Sequence, residues 1–155
     1  RHRERLSIRA PLPWVRRTRI RSIIVSDTST ALVRRLYESR MAPEVVAEIV
    51  ADDLVWDITP GAPFGGVYHG WDAVSTDFFG RLLPRLTSLT ARPELYDGAE
   101  DSDHVFVTGH YDAVRPSGGD PVQVRFVHDW TVRDGKLAAL RQTADSATLH
   151  DALDA

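Results

Sequence analysis

The sequence predicts an α+β fold: a curved antiparallel sheet wrapped around helices that come first in the chain, with an apolar cavity between them. Three observations predict it. Helical periodicity is concentrated before residue 87, apart from one closing segment. Segments rich in β-branched and aromatic residues fill positions 88–144. Short turns join the later of these segments, which suits strands running antiparallel rather than the strand–helix alternation of a parallel sheet.

The first helix is expected in "SDTSTALVRRLYESRM", capped by Asp27, Thr28 or Ser29, with Leu32, Leu36 and Val33 as its apolar stripe. "APEVVAEIVADD" predicts a second, short helix: Pro43 suits a first turn, and Val46, Ile49 and Val50 share a face. "LVWDIT" reads as a strand, and "PGAPFGGVYHG" as a loop punctuated by Gly and Pro. "WDAVSTDFFGRLLPRL" predicts a third helix, bent or ended near Pro84. Strands follow in "SLTARPELYDG", where Pro93 marks an edge or a bulge, in "HVFVTGHYDAV", in "VQVRFVHDWTV" and in "LAALRQTAD". The Asp-Gly pair between the last two is a tight-turn signal. A closing helix, "SATLHDAL", begins after Asp145 or Ser146, and Asp145 is read as its N-cap.

The bulk properties set limits. A chain of 155 residues, 43% hydrophobic, suits one domain with its own core. No apolar run approaches the roughly 18 residues of a membrane helix, so no membrane partner is expected. Cysteine is absent, which removes disulfides, thiolate nucleophiles and Cys-based metal sites and fits a reducing, cytoplasmic setting. The net charge of −3 hides an asymmetry. Residues 1–24 hold eight Arg and one Glu, whereas the remainder holds 11 basic and 21 acidic side chains. An acidic body argues against binding along a phosphate backbone, so no nucleic-acid partner is expected. Residues 1–24 contain Pro11 and Pro13, lack a strong helical period and begin with Arg. They are expected to be a flexible basic arm, an expression remnant or an over-extended gene start, with the domain covering residues 25–155.

The chain order is helix, short helix, an "ADDLVW" strand, a loop leading to "YHGWDAV", helix, three long strands and "RDGKLAALRQTAD". Over roughly residues 27–153 this resembles the nuclear transport factor 2-like superfamily, and within it the SnoaL-like, ketosteroid-isomerase-related group. "FVHDWTVRDGK" and "TADSATL" carry the resemblance best. It implies a cone-shaped sheet around a pocket. It implies less about activity, because this fold hosts isomerases, cyclases, epoxide hydrolases, dehydratases and non-catalytic modules.

Strand alternation puts Val124, Phe126, His128 and Trp130 on one face and Arg125, Val127, Asp129 and Thr131 on the other. The first face is apolar apart from its His and is expected to point inward. The resemblance places His128 where ketosteroid isomerases hold the protonated Asp of an oxyanion hole, so His128 is a candidate hydrogen-bond donor or general acid; a structural core His is the alternative. Gln142 stands where limonene epoxide hydrolases and phenazine-biosynthesis dehydratase-like proteins place an acid. It cannot act as a base, but can orient water or a carbonyl. Ile58 stands where the isomerases carry their Asp base, and Asp57 is offset by one and faces away. Tyr37 does not align with the isomerases' helix-borne Tyr. If the "RPSGGDP" turn pairs Val114 with Val122, His110 and Asp112 share the pocket with His128; a shift of one residue would turn them outward.

His128, His110 and Gln142 are therefore the expected catalytic set. Trp56, Ile58, Phe64, Phe79, Phe126 and Trp130 are expected to form the apolar wall, with Tyr68 at the rim. Two His and a carboxylate without a strong ligand spacing predict no metal site, and no cofactor is expected. Two functional readings remain open: an enzyme performing acid–base chemistry on a hydrophobic, oxygen-bearing small molecule, or a non-catalytic ligand-binding or dimerisation module. The first needs polar side chains converging in a cavity, and the second a filled apolar cone. The resemblance, together with Leu95, Val127 and Thr131 on the outer face, predicts a homodimer.

Overall fold

A computed structural model describes residues 19–98 and 103–154 of the chain. The elements in order are α1 (Arg19–Glu38), α2 (Pro43–Ile49), β1 (Val50–Ile58), β2 (Gly66–His69), α3 (Gly70–Ala73), a π turn (Val74–Phe79), α4 (Gly80–Leu82), a 3-10 turn (Leu83–Arg85), β3 (Ser88–Gly98), β4 (His104–Val114), β5 (Val122–Arg133), β6 (Lys136–Ala144) and α5 (Ser146–Asp154). The fold is the expected α+β arrangement. Six strands form one curved open sheet in the order β2-β1-β6-β5-β4-β3. Four of the five pairings are antiparallel, and β1–β6 is parallel. That parallel pair joins the first long strand to the last, so everything between them serves as its crossover.

Several local expectations are met for their stated reasons. Pro43 sits in the first turn of α2, and Val46 and Ile49 bury one face of it. Asp134 and Gly135 both have positive φ, 51° and 72°, as a two-residue hairpin turn requires. Pro93 lies at a bulge on the edge strand β3, where the register shifts before Leu95. Gly109 faces that bulge; a Cβ there would meet the Arg92 carbonyl oxygen at 2.2 Å. Asp145 caps α5, accepting from the Thr148 N–H at 3.1 Å and from its hydroxyl at 2.7 Å.

Other expectations are corrected. Val50–Asp53, expected as the end of the second helix, instead extends at Val50 and enters β1. Gly66–His69, read as loop, pairs with β1 as a short strand. The first helix begins at Arg19, inside the segment assigned to the arm, so Asp27, Thr28 and Ser29 are interior helical positions rather than caps. The remainder of the arm, residues 1–18, lies outside the described residues.

The correction that matters most for the site is a register. Ala113, not Val114, pairs with Val122, and Val107, not Thr108, pairs with His128. Hydrophobic patterning explains this. The chosen register sends Val105, Val107 and Ala113, all fully buried, to the concave face along with Gly109 and Tyr111. It sends Phe106, Thr108, His110 and Asp112 to the convex face.

The core lies on the concave side. Leu54, Trp56 and Ile58 from β1, Phe126 and Trp130 from β5, and Leu137 and Leu140 from β6 meet Val33 and Leu36 of α1. Val74, Phe78 and Leu82 close over the sheet from the helical stretch, and Leu149 and Leu153 do so from α5.

Candidate functional site

These elements leave a cavity of about 280 Å³ between sheet and helices, near the low end of small-molecule pockets, which run roughly 300–1,000 Å³. β1 contributes Trp56 and Ile58, β5 His128 and Trp130, β6 Leu140 and Gln142, and β4 Tyr111. α1 contributes Leu36 and Tyr37, and α5 contributes Leu149. The wall opposite the sheet is Trp71, Phe78, Phe79 and Leu82. The π turn, one residue wider than an α-helical turn, carries the consecutive Phe78 and Phe79, and both line the cavity.

His128 is 4% exposed and has a partner on each ring nitrogen. Nδ1 is hydrogen-bonded to the hydroxyl of Tyr37. Nε2 lies 2.6 Å from the hydroxyl of Tyr111. Trp130 Nε1 donates to the Tyr37 oxygen at 3.0 Å, and Gln142 Nε2 donates to the Tyr111 oxygen at 3.1 Å. The Phe126 ring stacks on the imidazole, with centroids 4.1 Å apart. Five side chains from α1, β4, β5 and β6 are thus tied into one chain of hydrogen bonds in an apolar setting.

Burial sets the charge state. It pushes the His128 imidazole down to about 3, because a cation there would lose its hydration without gaining a carboxylate. The ring is neutral at pH 7 and donates through one nitrogen while accepting through the other. Burial pushes the Tyr37 hydroxyl well up, an effect partly offset by the Trp130 N–H. It raises Tyr111 likewise, partly offset by Gln142. Both phenols therefore stay protonated donors at neutral pH. Two buried polar atoms on cavity-lining side chains have no protein partner among the described residues: Trp56 Nε1 and Gln142 Oε1. One is a donor and the other an acceptor, both on residues at most 6% exposed.

Of the residues singled out in the sequence, His128, Gln142, Trp56, Ile58, Phe79 and Trp130 line the cavity. The expectation for four others is corrected. His110 lies on the convex face, where its Nδ1 meets Glu94 at 2.8 Å and its Nε2 faces Asp112 at 3.4 Å. It lines a more open depression on that face rather than the pocket. Phe126 stands behind His128 and does not reach the cavity surface. Phe64 takes a left-handed backbone, φ 58°, and packs under the Arg81 guanidinium at 4.5 Å. Tyr68 donates its hydroxyl to the Phe64 carbonyl at 2.6 Å and rests against Phe78.

Sequence reasoning missed Tyr37 and Tyr111. The alternation of β4 carried a usable signal for Tyr111, since Val105, Val107 and Ala113 share its parity. Tyr37 stands four residues after Val33 on the apolar stripe of α1, which marked its inward face; its meeting with His128 depends on the packing of helix on sheet.

The SnoaL-like domain model matches residues 30–140. No curated protein gives a significant sequence match. Among solved structures, a nuclear transport factor 2-like protein from Burkholderia thailandensis E264 is 24% identical, with 80% of this chain and 95% of that one covered at a TM-score of 0.71. A candidate SnoaL-like polyketide cyclase from Jannaschia sp. CCS1 is 19% identical over 84% of this chain and 94% of its own, with a TM-score of 0.69. TerC, co-crystallised with polyporic acid, is 23% identical over 86% and 98%, with a TM-score of 0.65. At these identities the structural likenesses speak to fold. Among the described residues no helix is long and apolar enough to cross a membrane, and no group of three or more His, Asp or Glu side chains could hold a metal ion.

Proposed function

This chain belongs to the SnoaL-like domain family of the nuclear transport factor 2-like superfamily, and from that premise we propose that it is a small cofactor-independent enzyme acting on an apolar, oxygen-bearing metabolite. The substrate class is a polyketide- or terpenoid-like ring compound or its open precursor. The chemistry is acid–base: cyclisation, isomerisation or dehydration. One observation carries the reading: a neutral, buried His128 bridges two tyrosine hydroxyls at the wall of an otherwise apolar cavity.

Such a site stabilises developing negative charge beside His128 through neutral hydrogen-bond donors. A carbonyl oxygen that gains charge on enolisation would receive a hydrogen bond from Tyr37 or Tyr111. Each such donor is typically worth about 3 kcal/mol of barrier when water is excluded. Trp56 N–H and the Gln142 carbonyl offer a donor and an acceptor that would orient the ligand. The Jannaschia and TerC structures, by name a candidate polyketide cyclase and a complex with polyporic acid, fit this substrate class. The non-catalytic alternative draws on Ile58 and Gln142 occupying positions where related enzymes carry acids. Against it stands the cavity itself, which is lined by convergent hydroxyl, imidazole and amide groups rather than filled. We also place the protein in the cytoplasm as a homodimer with no nucleic-acid partner.

The test is proton exchange. Hydroxynaphthoquinones and cyclic 1,3-diketones would be incubated with the protein in deuterated buffer, and label uptake followed by mass spectrometry. Wild-type protein should accelerate exchange into at least one probe that binds in the cavity, and Tyr37→Phe/Tyr111→Phe should not. Cavity binding of several such probes with no acceleration would favour the binding module.

A further inference from the structure

We propose that Tyr37, His128 and Tyr111 form a closed proton relay, in which the imidazole carries a proton between two cavity-lining hydroxyls by exchanging one neutral tautomer for the other. The inference rests on the acid–base reading above and adds how the protons travel. Its basis is a near-symmetry. Each ring nitrogen of His128 meets one tyrosine oxygen, and each of those oxygens also accepts one N–H, from Trp130 on one side and Gln142 on the other. The two nitrogens therefore have partners of the same kind, and partner type favours neither tautomer.

The hydrogen count fixes what each tautomer does. With the proton on Nδ1, the ring donates to Tyr37 and accepts the Tyr111 O–H. The Tyr37 oxygen then takes two N–H donors, and its own O–H is left for the cavity. With the proton on Nε2, the roles reverse and Tyr111 has the free O–H. One hydroxyl hydrogen is spare in either case, and the tautomer selects which tyrosine presents it.

One passage of the relay balances. Starting from the Nδ1–H form, Tyr37 gives its hydroxyl proton to a substrate oxygen and takes the Nδ1 proton in return. Nε2 takes the Tyr111 hydroxyl proton, and the Tyr111 oxygen takes a proton from an acidic C–H of the substrate. The electron pair of that broken C–H bond stays on the substrate, as the new C=C bond of an enol or the new C–C bond of an aldol closure. Each protein group ends with as many protons as it began with, and neither a phenolate nor an imidazolium forms in surroundings that would penalise either. Before the next turnover Tyr111 gives its spare proton to solvent water and takes the Nε2 proton, Nδ1 takes the Tyr37 proton, and Tyr37 takes one from water, which resets the ring. The relay thus fits substrates that hold an acidic C–H and an accepting carbonyl within one cavity, the pattern of a cyclic or cyclisable 1,3-dicarbonyl.

The test reads the tautomer directly, by nitrogen NMR of protein labelled in its histidine rings. His128 is assigned by the loss of its signals in His128→Phe. Tyr37→Phe leaves only the Nε2 partner. The ring should then hold its proton on Nε2, because a buried N–H without a partner costs more than a bare nitrogen. Tyr111→Phe should give the opposite tautomer, with its proton on Nδ1. Wild-type shifts should fall between those of the two variants. The same tautomer in both variants would overturn the relay. So would a wild-type ring that is charged at pH 7 or locked in one form, an outcome readable even if a variant fails to fold. No ligand enters this measurement, so its result is separate from the proton-exchange assay that tests the enzyme reading.

Discussion

Phe126 and His128 lie two residues apart on the concave face of β5, with their rings 4.1 Å apart and inclined by only 17°. The phenyl ring seals one side of the imidazole from water, while Tyr37 and Tyr111 hold its edges. Shape and hydrogen bonding can be separated here. His128→Phe should keep the stack and the fold, with a modest stability loss from the tyrosine bonds removed, on the order of 1 kcal/mol. His128→Ala should lose more, about 1–3 kcal/mol beyond that, through the space it leaves. Urea denaturation measures both, and proton exchange should vanish in both. A His128→Phe protein that retains catalysis would place the chemistry elsewhere.

The same burial makes a pH prediction. The folded pKa of His128, about 3, lies below the ordinary value of 6.5. The unfolded chain therefore binds a proton that the folded chain refuses. This contribution to stability is complete above about pH 6.5 and is lost as pH falls toward 3. Between those limits the slope should approach 1.4 kcal/mol per pH unit for one proton. Stability measured from pH 7 to pH 4 should fall less steeply in His128→Phe than in the wild type. Identical slopes would mean that the imidazole is solvated in the folded state.

Much of this site could be read from sequence because β5 alternates cleanly. Val124, Phe126, His128 and Trp130 are buried, and the intervening positions are not. The offset between Asp57 and Ile58 was legible for the same reason: Ile58 is buried in the core and Asp57 is not. The turn before β5 was not. Residues 115–121 include two prolines and three consecutive positions, Ser117 to Gly119, of low steric demand, so several registers were open. One residue of slip exchanged His110 for Tyr111 in the pocket. Tyr37 depended on how α1 crosses the sheet, a contact 91 residues away in the chain that no local pattern encodes.

The convex face of the sheet carries its own expectation. Leu95, Thr108 and Val127 pair in one row across β3, β4 and β5. Leu95 is 57% exposed and Val127 42%, with Phe106 beside them at 40%. A largely apolar row running inward from the edge strand across an open sheet face is suited to a second copy of the chain. Sedimentation at micromolar concentration should give a species of about twice the 17.3 kDa chain mass. Val127→Asp should reduce it to one chain while leaving the cavity intact. A wild-type protein that sediments only at the single-chain mass would remove the dimer.

Arg40 is the one charged side chain among the described residues that line the cavity. It follows α1 in a left-handed conformation, φ 53°, with its backbone N–H returned to the Tyr37 carbonyl at 3.0 Å. Its side chain is exposed and has no ion-pair partner among the described residues. A cation at the rim of an apolar cavity should favour ligands with an acidic end. Its benefit should be small, since exposed charge pairs are typically worth under about 1 kcal/mol. Arg40→Gln keeps a long polar side chain and the same backbone demand. It should weaken binding of the anionic 1-anilinonaphthalene-8-sulfonate by about two- to fivefold. Binding of its neutral relative, N-phenyl-1-naphthylamine, should stay unchanged. The difference between the two probes should shrink as salt rises from about 0.01 M to 1 M, because screening shortens from roughly 30 Å to 3 Å. An equal loss for both probes would show that Arg40 shapes the rim sterically, and no loss for either would remove it from ligand recognition.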